Sequence, residues 1–354
     1  MRENKADALA FNAVSQISIN GREAQRLMSV YRTVGCAYDK NKRGCTMCDF
    51  AAYANPEAKG ENILRQHETS LNILKSGNYS HFDLLTLGNF FNDHEISVDL
   101  RKELLTLLSP IENLERVLVE SRKGYLTVDK LQKAKSYLRE DQILEYGLGY
   151  ESSNPRIRNE ILNKGVPEKH LDEALQICKE SGVDFVSYVL IKPPRLNEAE
   201  GIEDAVNTAT HVLEKADKYS VNARIAFEPV FVTEGTLVEE LWHKGEYQPP
   251  KLWSIIEVLK QTVEKIGRDK SIGKLFVGLS DENLSRERMT GNCGICDAEI
   301  ISQIQAYNGH QDINQLKDLY HSCKNSWENE IRSSRSINLS SLSIEALPTW
   351  RVTS

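Results

Sequence analysis

Short apolar runs alternate with amphipathic stretches along most of the chain. Runs with strand character lie at 26–33, 82–88, 115–121, 143–149, 184–192, 222–229 and 274–280. The stretches between them have helical spacing. In "HLDEALQICKESG", Leu171, Ala174, Leu175 and Cys178 recur at i, i+3, i+4 and i+7, and Gly182 predicts the helix end. Alternation of this kind predicts a parallel α/β sheet or barrel.

The same pattern divides the 354-residue chain into four parts. These are an N-terminal extension (1–19), a partial six-stranded (β/α) barrel (20–232), a smaller α-rich C-terminal region (233–332) and a Ser-rich tail (333–354). In the α-rich region, "PPKLWSIIEVLKQTVEKIG" predicts a helix that begins after a proline pair. Its apolar positions predict a buried face made by Leu252, Ile255, Ile256 and Leu259.

Polar residues or glycines follow most of the predicted strands. The strand ends read Gly88–Asn89, Glu120–Arg122, Gly149–Tyr150–Glu151, Lys192 and Glu228. In a (β/α) barrel, the chemistry gathers at the C-terminal ends of the strands. Polar residues after strands are common in any α/β protein, so the signal is their joint occurrence beside a cysteine-rich loop that follows the first strand.

That loop, "GCAYDKNKRGCTMCDF" at 35–50, contains Cys36, Cys45 and Cys48 in a C-x8-C-x2-C arrangement. A structural zinc site prefers four protein ligands, and no histidine falls between residues 36 and 60, which leaves Asp49 as a poor fourth ligand. Three thiolates suit a [4Fe–4S] cluster that keeps one iron open to an outside ligand. The spacing favours a cluster over zinc, with unligated cysteines as the third alternative.

A second group of metal-ligating residues lies near the C-terminus. "GNCGICDAEI" supplies Cys293 and Cys296, and "LYHSCKNSW" supplies His321 and Cys323. Four nitrogen and sulfur ligands at this spacing predict a structural zinc site, which would stabilise a region with little core of its own. An auxiliary iron–sulfur cluster and unligated thiols are the alternatives.

Composition narrows the class of protein. The chain is 40% hydrophobic and 27% charged, with a net charge of −7. No apolar run approaches the roughly 18 residues that a membrane span needs, and "MRENKADALAFN" lacks a signal segment, so we expect a cytoplasmic protein without membrane contact. Seven cysteines, an odd number, argue against a closed disulfide framework. An RNA substrate of such an acidic protein would need another subunit to hold it.

"RTVGCAYDKNKRGCTMCDF" resembles the elongator-catalytic-subunit-like branch of the radical S-adenosylmethionine (SAM) superfamily, which has an extended first gap. Further segments resemble one group in that branch, the radical SAM subunit of archaeosine synthase. They lie at 84–97, 117–127, 147–165, 189–205 and 234–260. The similarity covers nearly the whole chain, and the two long segments at 189–205 and 234–260 are the most specific.

The resemblance implies a partial radical SAM barrel and a set of cofactor contacts. Cys36, Cys45 and Cys48 would ligate a [4Fe–4S] cluster, and one electron from it would cleave SAM to a 5′-deoxyadenosyl radical. Gly88 and Asn89 occupy the position where family members receive the amine of the methionine part of SAM. Glu120 and Arg122 would help to hold the cosubstrate, and Tyr150 and Glu151 would lie near its ribose. A guanidinium suits the methionine carboxylate, and a carboxylate suits ribose hydroxyls. A mutual surface pair is the alternative for Glu120 and Arg122.

Lys192 and Glu228 are the predicted substrate-binding residues. Lys192 stands in "IKPP", where two prolines restrict the backbone and help to fix the direction of the lysine. We expect it to contact a substrate carboxylate or phosphate, and a solvated strand-end lysine is the alternative. Glu228 would orient substrate or pair with Lys192.

The resemblance also implies a reaction and partners. The substrate would be a lysine-modified 7-deazaguanine in tRNA, and hydrogen abstraction from the lysine would lead to lyase-type C–N cleavage and the amidine of archaeosine. A tRNA-binding partner subunit and an electron donor of flavodoxin or ferredoxin type are implied. Two other hypotheses stand beside this one: a radical SAM enzyme acting on a small metabolite or natural-product intermediate, and a non-catalytic zinc-dependent RNA-binding scaffold.

Overall fold

The computed structural model describes residues 5–39, 44–279 and 284–334. Within these ranges, eight strands form one sheet whose spatial order follows the chain. They are β1 (Phe11–Ile19), β2 (Arg22–Tyr31), β3 (Tyr79–Thr86), β4 (Arg116–Glu120), β5 (Ile143–Glu151), β6 (Asp184–Ile191), β7 (Ala223–Pro229) and β8 (Leu275–Val277). Strands β1 and β2 are antiparallel, and β2 to β8 run parallel. The predicted α/β barrel class is confirmed.

Helices connect the parallel strands and continue into the C-terminal region. They are α1 (Phe50–Tyr53), α2 (Gly60–Ser76), α3 (Val98–Thr106), α4 (Val128–Ser136), α5 (Lys169–Ser181), α6 (Glu198–Tyr219), α7 (Leu237–His243), α8 (Leu252–Ile266), α9 (Arg268–Ser271), α10 (Asp297–His310), α11 (Asn314–Lys317) and α12 (Cys323–Ser334). Short 3₁₀ turns cover Lys123–Tyr125 and Arg286–Arg288, and a π-helix covers Ile157–Ile161. Among the helices of the described ranges, none combines the length and apolarity that crossing a membrane requires.

Two helices confirm their sequence predictions closely. Helix α5 ends before Gly182, which adopts a left-handed conformation with φ of 63°. A glycine is the residue that takes this conformation at least cost, so it terminates the helix there. Helix α8 begins at Leu252, directly after the proline pair and Lys251, and its predicted apolar face is buried.

Two edge strands extend the six predicted barrel strands, β2 to β7. Strand β8 coincides with one of the strand-like runs of the sequence. Strand β1 does not, because its first six residues are only half-buried or exposed, and only Ile17, Ser18 and Ile19 at its end are buried. Strand β1 pairs with β2 from Phe11 opposite Val30 onwards. The sheet therefore reaches beyond the 20–232 range on both sides, although the domain limits themselves stay predictions.

Helix α10 packs between the two edges of the sheet. It contacts β1, β2 and β8. Its Asn308 side chain accepts a hydrogen bond from Val277 N and donates one to Val277 O, each 2.9 Å long, and Gln311 donates to Leu275 O at 3.0 Å. Side-chain hydrogen bonds thus satisfy the free edge of β8, which would otherwise be open to pairing with another strand.

The interior of the barrel is polar at its floor. His81 Nε2 lies 3.0 Å from Asp83, and Arg116 donates to Glu145 at 2.8 Å. Arg26 pairs with Asp83 at 3.4 Å. A cavity of about 20 Å³ inside the sheet, enough for about one water, is lined by side chains from seven of the strands. This packed floor leaves the C-terminal ends of the strands as the open side of the barrel.

The C-terminal region shares the main hydrophobic core with the barrel. Trp253 on α8, Ile304 on α10 and Trp327 on α12 belong to the same buried cluster as the strand residues. Helix α8 packs along α6, so the region covers one side of the barrel. The predicted Ser-rich tail lies outside the described residues from 335 onwards.

Candidate functional site

The cysteine loop leaves β2 and passes over the C-terminal ends of several strands. At its start, Cys36 lies beside the end of β3, where the Asn89 side-chain nitrogen is 3.5 Å from Cys36 Sγ. Ala37 N donates to the Glu95 carboxylate at 3.1 Å. The first thiol of the loop is therefore held against the segment that follows β3, as the predicted barrel mouth requires.

Glu95 is the centre of this first attachment. Its buried carboxylate accepts hydrogen bonds from the side chains of Asn89 (3.1 Å) and Asn92 (2.8 Å), and also from Asn89 N. A Cβ atom at Gly88 would overlap Glu95 Oε2, so glycine is needed for this close approach. Sequence reasoning named Gly88 and Asn89 but missed Glu95, since one acid within a polar turn carries no signal of its own.

Arg122, at the end of β4, holds the first half of the loop. Its guanidinium donates to Lys164 O at 2.6 Å and to Gly165 O at 3.2 Å, and it stacks over the Tyr38 ring at 3.9 Å. Its backbone N donates to Asn89 Oδ1 at 2.8 Å. These contacts join the loop to three strand ends and replace the Glu120–Arg122 surface pair considered from the sequence.

The second half of the loop is held by hydrogen bonds at Thr46. Thr46 N donates to Leu162 O at 3.0 Å, and Thr46 Oγ1 donates to Ile161 O at 2.9 Å. On the other side, Leu237 N, in the first turn of α7, donates to Thr46 O at 2.9 Å. The loop thus extends from the β3 end to the segment after β7.

Cys45 and Cys48 flank Thr46 at the mouth. The Cys45 residue is half-buried, whereas Cys48 is exposed. Burial raises the pKa of the Cys45 thiol, and the nearby Lys164 ammonium and Arg122 guanidinium act in the opposite direction. Cys36 also acts electrostatically on Cys45, and Cys45 on Cys48. The structure therefore brings the three predicted thiols to one region.

Two carboxylates lie near Lys164 at the mouth. Glu151, at the end of β5 with a left-handed φ of 66°, pairs with Lys164 at 2.7 Å, and both side chains are largely buried. Burial raises the pKa of Glu120 to about 7, with Lys164 opposing this effect and Glu151 adding to it. Lys164 was not among the predicted site residues, because the loop after β5 gave no pattern to single it out.

Tyr150 faces a different environment from Glu151. Its ring is fully buried, with the Arg158 guanidinium 4.5 Å from the ring centroid and the His211 ring stacked on it. Its hydroxyl donates to Glu168 at 3.4 Å. The alternation of side chains along a strand puts Tyr150 in the helical layer, so its backbone is the part at the strand end.

Lys192 is buried in an ion pair at the end of β6. Its Nζ lies 2.6 Å from Glu198 Oε1, and Glu198 also accepts from Ser254 Oγ. Tyr247 donates to Lys192 O at 2.9 Å. Lys192 therefore has Glu198 as a partner, which sequence reasoning missed. Glu228 occupies the end of β7, with Oε2 close to Gly278.

The C-terminal ligand set is assembled closely. In the part of the chain that the structure describes, Cys293, Cys296, His321 and Cys323 form the one metal-suited group of three or more donors whose ligand atoms all lie within 4.8 Å of one another. Cys296 Sγ is 3.7 Å from both Cys293 Sγ and Cys323 Sγ. His321 Nδ1 is 3.6 Å from Cys293 Sγ and 3.2 Å from Cys323 Sγ.

The surroundings act in opposite directions on two of these thiols. Backbone N–H groups of Cys296 and Ile295 lower the pKa of the Cys293 thiol to about 7, whereas burial raises the pKa of the Cys296 thiol to about 11. The Trp253 indole donates to Cys323 Sγ at 3.4 Å, and Asn292 donates to Cys296 Sγ at 3.5 Å. Hydrogen-bond donors around the sulfur atoms orient the thiols and stabilise them as ligands of a metal ion.

Comparison with known proteins decides the family. Archaeosine synthase subunit beta of Methanosarcina acetivorans is 30% identical over 314 residues, which cover 88% of this chain and 86% of that protein. The chain belongs to the archaeosine synthase subunit beta family. This membership confirms the radical SAM resemblance seen in the sequence, and the chain is a radical SAM enzyme.

Two further relatives agree with this family. Archaeosine synthase subunit beta of Thermococcus kodakarensis is 26% identical, with 89% of this chain and 94% of that protein covered. The uncharacterized protein MJ0550 of Methanocaldococcus jannaschii is 32% identical, with 85% of this chain and 80% of that protein covered. No protein-family model matches the chain.

Proposed function

We propose that the chain is the subunit that completes archaeosine in tRNA, and that its cysteine loop holds a [4Fe–4S] cluster at the barrel mouth. The observation that carries this proposal is the course of the loop. Cys36 lies at the β3 end, and Cys45 and Cys48 flank Thr46, whose hydrogen bonds reach the segments after β5 and β7. Family membership supplies the reaction to which this geometry is suited.

The donor set of the loop fits a cluster better than a single ion. Cys36, Cys45 and Cys48 do not form a compact group of the kind seen at Cys293, within the residues that the structure describes. A cubane of four irons and four sulfides fills more space than one ion and gives each thiolate its own iron. Three protein ligands leave one iron for the cosubstrate.

When bound, the cluster supplies the electron that cleaves SAM to a 5′-deoxyadenosyl radical. Asn89, beside Cys36 Sγ, is suited to the methionine end of the cosubstrate together with Gly88. Arg122 is committed to the carbonyls of Lys164 and Gly165, so its role is to hold the mouth as well as to supply positive charge. Glu120 remains the carboxylate proposed to contact the cosubstrate.

The ribose contact is proposed for Glu151 and for the backbone of Tyr150. The Glu151 carboxylate has its Oε1 paired with Lys164, which fixes its direction. A fixed carboxylate is well suited to accept hydrogen bonds from vicinal hydroxyls. Tyr150 contributes through the strand end, since its ring packs in the helical layer.

The substrate proposed is a lysine-modified 7-deazaguanine in tRNA. C–N cleavage there would remove the carbon skeleton of the lysine and leave its side-chain nitrogen in the archaeosine amidine. Glu228, at the end of β7, is proposed to orient this substrate. Lys192 acts there through its ion pair with Glu198, which fixes the position of its ammonium.

The net charge of −7 supports a shared task in tRNA binding. Nucleic-acid affinity comes mainly from cations facing phosphates. We therefore propose a tRNA-binding partner subunit, in agreement with the word "subunit" in the names of the relatives. An electron donor of flavodoxin or ferredoxin type would reduce the cluster.

A structural zinc ion is proposed at the C-terminal group. Bonds of about 2.3 Å to sulfur set the sulfur atoms of a tetrahedral site about 3.8 Å apart. The 3.7 Å separations at Cys296 agree with that value. An auxiliary iron–sulfur cluster would spread the thiolates further, so the distances favour zinc.

Metal analysis after anaerobic purification tests both metal proposals together. We expect brown protein with about four irons and about one zinc per chain. Colourless protein with zinc alone would support the RNA-binding scaffold and contradict the enzyme proposed here.

A reconstitution experiment tests the substrate. The reduced protein is given SAM and tRNA carrying the lysine-modified base, with unmodified tRNA as the control. We expect archaeosine and free 5′-deoxyadenosine by mass spectrometry. Iron-loaded protein that cleaves SAM but leaves this tRNA unchanged would favour the radical SAM enzyme of small-molecule metabolism.

A further inference from the structure

The long first gap of the cysteine motif raises a question of order. Ordering a loop costs conformational entropy for each residue, so the fold must supply contacts that fix it. Residues 40–43 of the gap lie outside the described ranges, whereas both flanks are described. The structure therefore defines how each flank is attached, including the flank that carries Cys45.

A turn after β5 lies opposite that flank. It follows the π-helix Ile157–Ile161, a rare geometry that often marks functional sites. Asn163 and Gly165 both adopt left-handed conformations, with φ of 49° and 62°. Asparagine tolerates this conformation better than other residues with a side chain, so Asn163 combines an unusual backbone with an amide that can bind another segment.

Contacts of this turn, and of Ile161 and Leu162 directly before it, surround Cys45 on both sides in sequence. Asn163 Nδ2 donates to Gly44 O at 3.1 Å, directly before the cysteine. Thr46 donates twice, to Ile161 O and Leu162 O, directly after it. A cysteine between two such attachments has a fixed backbone, and its thiol is aimed by the turn.

The turn also reaches the first half of the loop. Tyr38 donates through its hydroxyl to Asn163 O at 2.9 Å, and the Tyr38 ring carries the Arg122 guanidinium. Arg122 in turn donates to the carbonyls of Lys164 and Gly165. The same three-residue turn, Asn163–Gly165, therefore contacts both flanks of the gap.

We infer that Asn163 is a positioning residue for the cysteine loop, and that the Asn163–Gly165 turn sets where the Cys45 thiol lies. The inference rests on the proposed cluster for its purpose, but the positioning itself is a property of the metal-free chain. Attachment to this turn explains how the cysteines on either side of an eight-residue gap can be held in fixed positions.

Three substitutions of Asn163 separate its amide from its backbone. Asn163→Asp keeps the shape and tolerates positive φ but turns the donor into an acceptor facing Gly44 O. Asn163→Gly keeps the left-handed backbone and removes the amide. Asn163→Ala removes the amide and strains the backbone. Asn222→Ala, which removes an exposed amide bonded to Asp184, is the matched control.

The readout is the alkylation rate of each thiol in anaerobic, metal-free protein. Trypsin separates Cys36 from the peptide that carries Cys45 and Cys48, and fragment spectra distinguish those two. We expect Cys45 to react about fivefold faster or more in the Asp and Gly variants, the effect of losing one hydrogen bond on local opening. The exposed Cys293, which lies outside the loop, serves as the internal reference.

Iron uptake on reconstitution is the second readout, and it should fall in the same variants. Wild-type alkylation of Cys45 in both Asn163→Asp and Asn163→Gly would overturn the inference. If the buried Cys178 also reacts, the variant has unfolded, and Thr46→Val, which removes only the bond to Ile161 O, decides on the same criterion. Wild-type protein without iron would contradict the proposed function and leave the alkylation comparison valid.

Discussion

The two cysteine groups of the chain differ in how the protein holds their donor atoms. At the C-terminus, four ligand atoms lie within 4.8 Å of one another. At the barrel mouth, three thiols are distributed along a loop that crosses strand ends. Four close ligands make a saturated site suited to stability, whereas three ligands leave a coordination position for chemistry.

The two groups also depend on different parts of the fold. The turn at Cys293 is fixed locally, since Asp297 accepts from Asn292 N at 3.1 Å and from Gly294 N at 3.0 Å. The mouth loop is fixed by distant residues, Asn89, Asn163 and Leu237. The cysteines at the mouth therefore reach their positions only in the assembled barrel. The C-terminal group needs only the Cys293 turn and the one further segment that carries His321 and Cys323.

The largest expected effect is the loss of catalysis in Cys45→Ala. Removing one of the three proposed cluster ligands should lower 5′-deoxyadenosine formation by more than about 100-fold, because even groups behind metal ligands contribute 10–100-fold. The zinc content should not change, because the C-terminal ligands are separate. Iron and zinc analysis together with a SAM-cleavage assay checks both parts.

Cys178→Ala is the control for that variant. Cys178 is fully buried on α5 and belongs to neither ligand group. It should keep both metals and most of the activity, at a modest cost in stability. Turnover that persists in Cys45→Ala would contradict the assignment of the loop.

The next largest effect is expected at the other group. Cys296→Ala should lose the zinc and destabilise the packing of α10 and α12 by on the order of 5 kcal/mol, since a structural metal contributes its binding energy to folding. Limited proteolysis should then cut within 290–334, while the barrel survives.

His243→Ala provides the comparison, because His243 is exposed on α7 and distant in sequence from both groups. It should keep the zinc and the wild-type digestion pattern. A Cys296→Ala protein that keeps its zinc, or that is digested like the wild type, would show that the compact donor group is not a structural metal site.

The same comparison separates what sequence could predict from what it could not. Strands β2 to β8, helices α5 and α8, and the C-terminal ligand set follow from local periodicity and spacing, so sequence reasoning found them. The donors Cys293, Cys296, His321 and Cys323 lie in two short segments, and four such residues are recognisable without a fold.

Some residues that position side chains at the mouth gave no such signal in the sequence. Glu198 stands in the first turn of α6 behind the capping residue Asn197, where an acid normally needs no explanation beyond the helix dipole. Only the fold turns it towards Lys192. Glu95 and Asn163 were missed for the same reason, because their partners are distant in sequence.

A smaller effect concerns the pH dependence of folding stability. It should arise in the barrel, at Asp204, and leave the C-terminal cysteine group unaffected. Burial raises the pKa of Asp204 on α6 from 3.8 to about 7, opposed by a hydrogen bond from Ser152 and by Arg158, and increased by Glu203. A raised pKa means that the folded protein prefers the protonated acid. Its stabilising effect is complete below about pH 4 and is lost as the pH rises through about 7.

Asp204→Asn removes this dependence and keeps an acceptor for Ser152. At about pH 8.5 the variant should be more stable than the wild type by at most about 4 kcal/mol, and near pH 4 the two should be alike. Thermal unfolding at several pH values measures the difference, with zinc content as the check that the C-terminal group is unaffected. Equal slopes of stability against pH would contradict this account.

The smallest effect tests whether the two regions communicate. Trp327, one turn after Cys323 on α12, donates to Ser254 Oγ at 2.8 Å, and Ser254 contacts Glu198, the partner of Lys192. Trp327→Phe keeps most of the ring and loses the donor, so we expect a loss of about 1 kcal/mol with zinc retained. Trp242→Phe, on α7, is the matched control.

A double-mutant cycle with Ser254→Ala isolates the contact itself. If the hydrogen bond links α12, which carries Cys323, to the Lys192 ion pair, the two substitutions should be non-additive by about 1 kcal/mol in denaturant unfolding. Additive costs would mean that α12 merely covers the barrel. Non-additivity would mean that α12 is energetically coupled to Ser254, which also bonds Glu198, the partner of Lys192. The helix that carries Cys323 and one strand end at the mouth would then be connected through a single chain of hydrogen bonds.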